Sequence, residues 1–132
     1  MRQIACPVAL HPDGGIRRIA CFSPAHAGFE LVTTALPDGA PPATLAAKTL
    51  YDQSGLETTA AIAIGQSPDI QEGAVWHFSL CRIKPPVRTQ WQHFYAANAQ
   101  RLHFHWMALD AAAPDQLAPP HLRALDWIRA TV

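Results

Sequence analysis

The sequence predicts an α+β fold, on three observations. Short segments with apolar and polar residues in alternation, the pattern of half-buried strands, recur on both sides of residues 42–55. Between them, Ala43 to Ser54 is rich in helix formers, opened by Pro42, tolerated in a first turn, and closed by Gly55, suited to a left-handed cap. A second proline-opened stretch, His121 to Ala130, is amphipathic at helical spacing.

In chain order, apolar Gln3 to Leu10 meets the turn signal Pro12-Asp13-Gly14-Gly15 and alternation resumes from Ile16 to Phe22, which predicts a β-hairpin. Ser23-Pro24-Ala25-His26-Ala27-Gly28 breaks the second strand, Phe29 to Thr34 reads as extended, and Pro37 to Pro42 as loop. The central helix should bury Leu45, Ala46 and Leu50, followed by Leu56. Strands are then expected over Thr58 to Ile64 and Ala74 to Ile83. The latter carries Trp76, Phe78 and Leu80 on one face and His77, Ser79 and Cys81 on the other, as an interior strand does. Lys84-Pro85-Pro86 ends it, and Trp91, Phe94 and Tyr95 follow at a spacing that suggests a turn or two of helix. Gln100 to Leu109 is a strand with Leu102, Phe104 and Trp106 opposite His103, His105 and Met107. The closing helix should bury Leu122, Leu125, Trp127 and Ile128.

The 132 residues fit one domain, 49% hydrophobic and 15% charged, which is ample for a core and too apolar for a disordered chain. No apolar run approaches the roughly 20 residues that cross a bilayer, and Met1 to Pro7 lacks a signal-peptide layout, so a cytoplasmic protein is expected. Ten basic and ten acidic side chains cancel, which argues against a nucleic-acid partner. Cys6, Cys21 and Cys81 are odd in number and dispersed in strand-like sequence, which predicts buried thiols and neither disulfides nor a zinc knuckle. From Gly73 to Leu109 there is no Asp or Glu, while Arg82, Lys84, Arg88 and Arg101 occur with four histidines. Such a segment can face an anion, or can be core strand with solvated bases.

The stretch from Phe29 to Leu56 resembles the strand, loop and helix of the Nudix hydrolases, whose box reads G-x5-E-x7-R-E-U-x-E-E-x-G-U with U aliphatic. Anchoring Gly55-Leu56 on the final pair puts Lys48 at the arginine, Thr49 at the first glutamate, Leu50 at the aliphatic position, and Asp52 and Gln53 at the paired glutamates. Counting back, Ala40 takes the isolated upstream glutamate and Thr34 the initial glycine, so the box spans residues 34–56. The preceding Phe29-Glu30-Leu31-Val32 is similar to the family's strand before the box. The resemblance implies an α/β/α sandwich with a mixed central sheet flanked by helices. It also implies Mg2+ or Mn2+ as the cofactor and a nucleoside diphosphate derivative as the ligand.

The family's chemistry needs carboxylates at i, i+3 and i+4 of the helix, on one face, to hold divalent cations against a diphosphate. Here those positions are Thr49, Asp52 and Gln53, so Asp52 is the one candidate for catalysis or weak metal binding. Glu30, Glu57 and Glu72 can rebuild the cluster only if the fold brings them to Asp52. Lys48, Arg82, Arg88, Arg101, His103 and His105 are the candidates for contacting a nucleotide or other phosphorylated small molecule. His103 and His105 share a strand face and can equally be structural. A Cys-His site at Cys21 or Cys81 shows no activating pattern.

Three readings follow. The first is a Nudix-like module that binds a nucleotide-type ligand or a protein partner without pyrophosphohydrolase activity. The second is a divergent Mg2+- or Mn2+-dependent hydrolase using Asp52. The third is a homodimer built on Trp91, Phe94, Tyr95 and Trp106, since aromatics anchor interfaces.

Overall fold

The structure is a computed structural model and describes residues 1–13, 15–23, 28–110 and 117–132. The elements are β1 (Arg2–Asp13), β2 (Ile16–Ser23), β3 (Thr34–Ala35), α1 (Pro42–Ser54), β4 (Thr58–Ser67), β5 (Ala74–Ile83), β6 (Gln90–Tyr95), β7 (Gln100–Ala108) and α2 (Pro119–Thr131). The strands form one sheet in the order β4-β5-β1-β2-β7-β6, with β3 beside β1. β1 pairs in parallel with β5 and antiparallel with β2 and β3, so the sheet is mixed. The expected hairpin is present, with Leu10 opposite Ile19 and Asp13 opposite Ile16; Gly14 of its turn lies outside the described residues, as does the 24–27 part of the predicted strand break.

Alternation along the strands divides the core between two faces. Val8, Cys6, Ile19, Cys21, Phe78 and Met107 pack with Ala124, Leu125 and Ile128 of α2. Ala9, Ala20, Phe22, Cys81, Leu102 and Phe104 pack with Ala46 and Leu50 of α1. A mixed sheet between two helices, an α/β/α sandwich, is the result. No helix among the described residues is long and apolar enough to cross a membrane.

The two helices obey their sequence signals. Pro42 stands in the first turn of α1, and Gly55 caps it at φ 76°, its N–H donating to the Tyr51 carbonyl at 2.8 Å. The buried stripe, however, is Ala46, Thr49, Leu50, Gln53 and Ser54, while Leu45 and Leu56 are half-buried. The stripe is rotated from the apolar one expected because Leu45 turns to the cleft beside β6. In α2, Leu125 and Ile128 are fully buried, but Leu122 is exposed and Trp127 half-buried, stacked on Phe78 at 4.2 Å.

Two expectations are corrected. The aromatic trio of residues 90–95 lies on a strand, β6, paired antiparallel with β7 so that Trp91 faces Phe104 and Tyr95 faces Gln100. The decisive period is 2: Trp91, His93 and Tyr95 are half-buried while Gln90, Gln92 and Phe94 are exposed. The extended segment from Phe29 to Thr34 is reduced to a bridge between Phe22 and Glu30 and the short β3. Its interruption has a specific cause, since the Leu31 N–H is taken by the His121 side chain at 3.1 Å.

Candidate functional site

Helix α1 presents Thr49, Asp52 and Gln53, the positions that the resemblance aligns with carboxylates, in different ways. Thr49 and Gln53 point inward, each 5% exposed, and Gln53 donates its amide N–H to the Thr33 carbonyl at 3.0 Å. Asp52 is exposed and accepts from the Lys48 ammonium one turn earlier, at 2.7 Å. That bond, with the attraction of the two charges, holds the Lys48 ammonium above its ordinary pKa. The pair is solvated, and exposed pairs of this kind contribute little to stability.

Among the described residues, Glu30, Glu57 and Glu72 do not line the cleft that holds Asp52. Glu57 pairs with Lys84 at 3.3 Å, and Glu72 is exposed ahead of β5. Glu30 lines a cleft of about 240 Å³ with Gln53, Tyr95, Asn98 and Gln100, and burial pushes its carboxyl pKa up. Among the described residues no three His, Cys, Asp or Glu side chains converge to hold a metal ion. Hard cations need several oxygen ligands, and the donor set here, a salt-bridged Asp52 flanked by a threonine and an engaged amide, does not fit the multi-metal cluster.

Other candidates are separated by the sheet. Arg101, His103 and His105 alternate with Met107 on the α2 side, and Arg82 alternates with Leu80 and Phe78 on that same side. Lys48 and Asp52 stand on α1, across the sheet. His105 is engaged already: its Nε2 lies 3.1 Å from the Cys21 Sγ, and Phe29 meets its ring edge-on at 4.7 Å. Burial lowers the His105 pKa and raises that of Cys21 to about 12, so the pair is a neutral imidazole and a thiol. Cys81 is raised to about 11 and Cys6 further still, also by burial. None of the three thiols offers a thiolate nucleophile near neutral pH.

A concavity lies between α1 and β6. A cleft of about 510 Å³ is lined by Lys48, Thr49, Tyr51 and Asp52 from the helix and by His93, Phe94 and Tyr95 from the strand. A second of about 350 Å³ adjoins it through Tyr51 and His93 and reaches Gly55, Trp91 and Arg88. Gly55 is required here twice over, by its positive φ and because a Cβ at that position would stand 2.9 Å from the His93 ring. Trp91 donates its indole N–H to the Ser54 carbonyl at 2.7 Å, which ties β6 to the end of the helix. Of the predicted ligand residues, Lys48, Asp52 and Arg88 therefore line connected clefts. Tyr51, His93 and Tyr95 also line these clefts and were not singled out for them in the sequence; the period-2 pattern of residues 90–95 is the signal that places the latter two inward.

No family model and no curated protein sequence matches the chain. Solved structures do match in three dimensions. An ADP-ribose pyrophosphatase from Streptococcus suis superposes with a TM-score of 0.67 at 13% identity, over 97% of this chain and 92% of that one. The NUDIX domain of Shewanella oneidensis NrtR, crystallised with ADP ribose, gives 0.69 at 9% identity over 97% and 86%. RenU, a Nudix hydrolase from M. smegmatis, gives 0.61 at 16% identity over 97% and 84%. Near-complete coverage by three such structures, with a mixed sheet between two helices, identifies the architecture of this chain as the Nudix fold.

Proposed function

We propose that this chain, acting as one domain over residues 1–132, is a Nudix-fold binding module that holds a nucleotide-type ligand in the cleft between α1 and β6 and does not hydrolyse it by metal-cluster chemistry. The observation that carries the reading is the state of the box face: Thr49 and Gln53 are buried, and Asp52 is salt-bridged to Lys48. The cleft keeps what recognition needs, a cation at Lys48, a second at Arg88 in the adjoining cleft, and the rings of Tyr51 and Tyr95 for a base or ribose to lie against. ADP-ribose is the natural probe, because a neighbour of the same fold is crystallised with it. Arg82, Arg101, His103 and His105, across the sheet, are left out of this cleft.

The test is calorimetric titration with ADP-ribose, with Mg2+, with Mn2+ and with chelator, beside an assay for released nucleotide. Expected are binding that survives chelation, weakens in Lys48→Ala and Tyr51→Ala, and gives no product. Metal-dependent turnover that collapses in Asp52→Ala would replace this reading with the divergent hydrolase. That second reading draws on one observation, the raised Glu30 carboxyl beside Gln53, and Glu30→Gln is its companion variant. A homodimer built on the aromatics has less support. Trp91 and Trp106 donate to the backbone carbonyls of Ser54 and Arg88, Tyr95 is half-buried, and of the four only Phe94 is largely exposed.

A further inference from the structure

We propose a second ligand site, a phosphate-binding cleft formed by His11, Arg18 and Arg88 around the Trp106 indole. The cleft measures about 390 Å³, and none of its lining residues belongs to α1. Its floor is one face of three neighbouring strands. His11 of β1 stands directly opposite Arg18 of β2, and Trp106 of β7 stands opposite Ala20, the next position of β2 on that face. The connection between β5 and β6 forms the opposite wall with Arg88 and Thr89.

The walls are fixed before any ligand arrives. Trp106 donates its indole N–H to the Arg88 carbonyl at 2.8 Å, which pins the connection over the sheet. The same indole packs against the His11 ring at 5.4 Å and the Trp91 ring at 5.9 Å. Two arginines, a histidine and Thr89 therefore line the cleft around the Trp106 indole, and no Asp or Glu is among the described lining residues. Guanidinium forks match the oxygens of phosphate in paired hydrogen bonds, whereas an ammonium acts as a point charge. The volume exceeds that of a phosphate alone and leaves room for an attached group beside the indole. The chemistry selected is a phosphate dianion, free or as a monoester.

The site does not rest on the nucleotide reading of the α1 cleft, although Arg88 also lines the adjoining cleft. The experiment follows the Trp106 indole N–H resonance, assigned with Trp106→Phe, while inorganic phosphate and then adenosine monophosphate are titrated into the intact protein. The signal should shift and saturate, with about tenfold weaker binding in Arg88→Gln and in Arg18→Gln and unchanged binding in Lys84→Gln. Arg88 is exposed, so its variant carries the test if Arg18→Gln fails to fold. Tighter binding of adenosine monophosphate than of phosphate assigns the anion to a nucleotide, and equal binding assigns it to free phosphate. A Trp106 signal that stays fixed throughout, or phosphate affinity identical in wild type and both arginine variants, overturns the proposal.

Discussion

Acidification should weaken this fold chiefly through His121. Its Nδ1 accepts the Leu31 N–H at 3.1 Å and its ring meets Trp76 edge-on at 5.5 Å. Burial lowers its pKa from 6.5 to about 4, because a charged imidazole would be poorly solvated there. With the folded value below the unfolded one, the stabilising contribution is complete above about pH 6.5 and is lost as pH falls towards 4. The ceiling of the loss is about 3 kcal/mol, and at about pH 5 it is about 2 kcal/mol, because each factor of ten in proton affinity is worth ~1.4 kcal/mol. His121→Asn keeps an acceptor near the Nδ1 position and does not titrate. Urea midpoints followed by tryptophan fluorescence, at neutral pH and at about pH 5, give the difference between the two proteins. His105, whose pKa is also lowered, and Glu30, whose pKa is raised, are common to both and cancel. Wild type should lose about 2 kcal/mol more than the variant over that interval. Parallel losses in the two proteins would refute the role given to His121.

Gly55→Ala should destabilise the protein by at least about 1–2 kcal/mol, since the residue sits at φ 76° and the new Cβ would press on His93; a thermal midpoint equal to wild type would count against both causes. Gln53→Glu, which puts a carboxylate at a position that the resemblance aligns with a glutamate, should cost about 1–3 kcal/mol at neutral pH, because the side chain is buried and faces the Thr33 carbonyl, an acceptor. That deficit should shrink on acidification, as the protonated carboxyl can donate to the carbonyl, and its removal by Mg2+ instead would reveal a latent metal site.

Much of the fold was legible because its signals are local. Pro42 and Gly55 bracket α1 by backbone preference alone, and the alternation of Trp76 to Cys81 and Leu102 to Met107 assigned both faces of β5 and β7. Residues 90–95 misled because Trp91, Phe94 and Tyr95 also satisfy a helical spacing, and only pairing with β7, a non-local event, selects the strand. The site was less legible for the same reason. Chain proximity grouped Arg101, His103 and His105 with Arg88, yet pleating sends the first three to the α2 side. His11 and Arg18, eighty or more residues before Trp106 in the chain, reach it only through the hairpin and the β2–β7 ladder.

Helix α1 is packed by neutral side chains at its inward polar positions. Inward positions 49 and 53 lie beside the core around Leu50, where a carboxylate is costly unless metal ions or donors offset its charge. Threonine and glutamine remove that requirement: they stay neutral, and the Gln53 amide satisfies the Thr33 carbonyl directly. The helix then needs no cation to stay packed, and the remaining acid, Asp52, can turn outward to Lys48 without leaving a buried charge unpaired. Neutral inward side chains and the outward pairing of Asp52 are therefore a consistent set. Together they leave the cleft between α1 and β6 lined by Lys48 and the rings of Tyr51 and Tyr95, with no inward carboxylate from the helix.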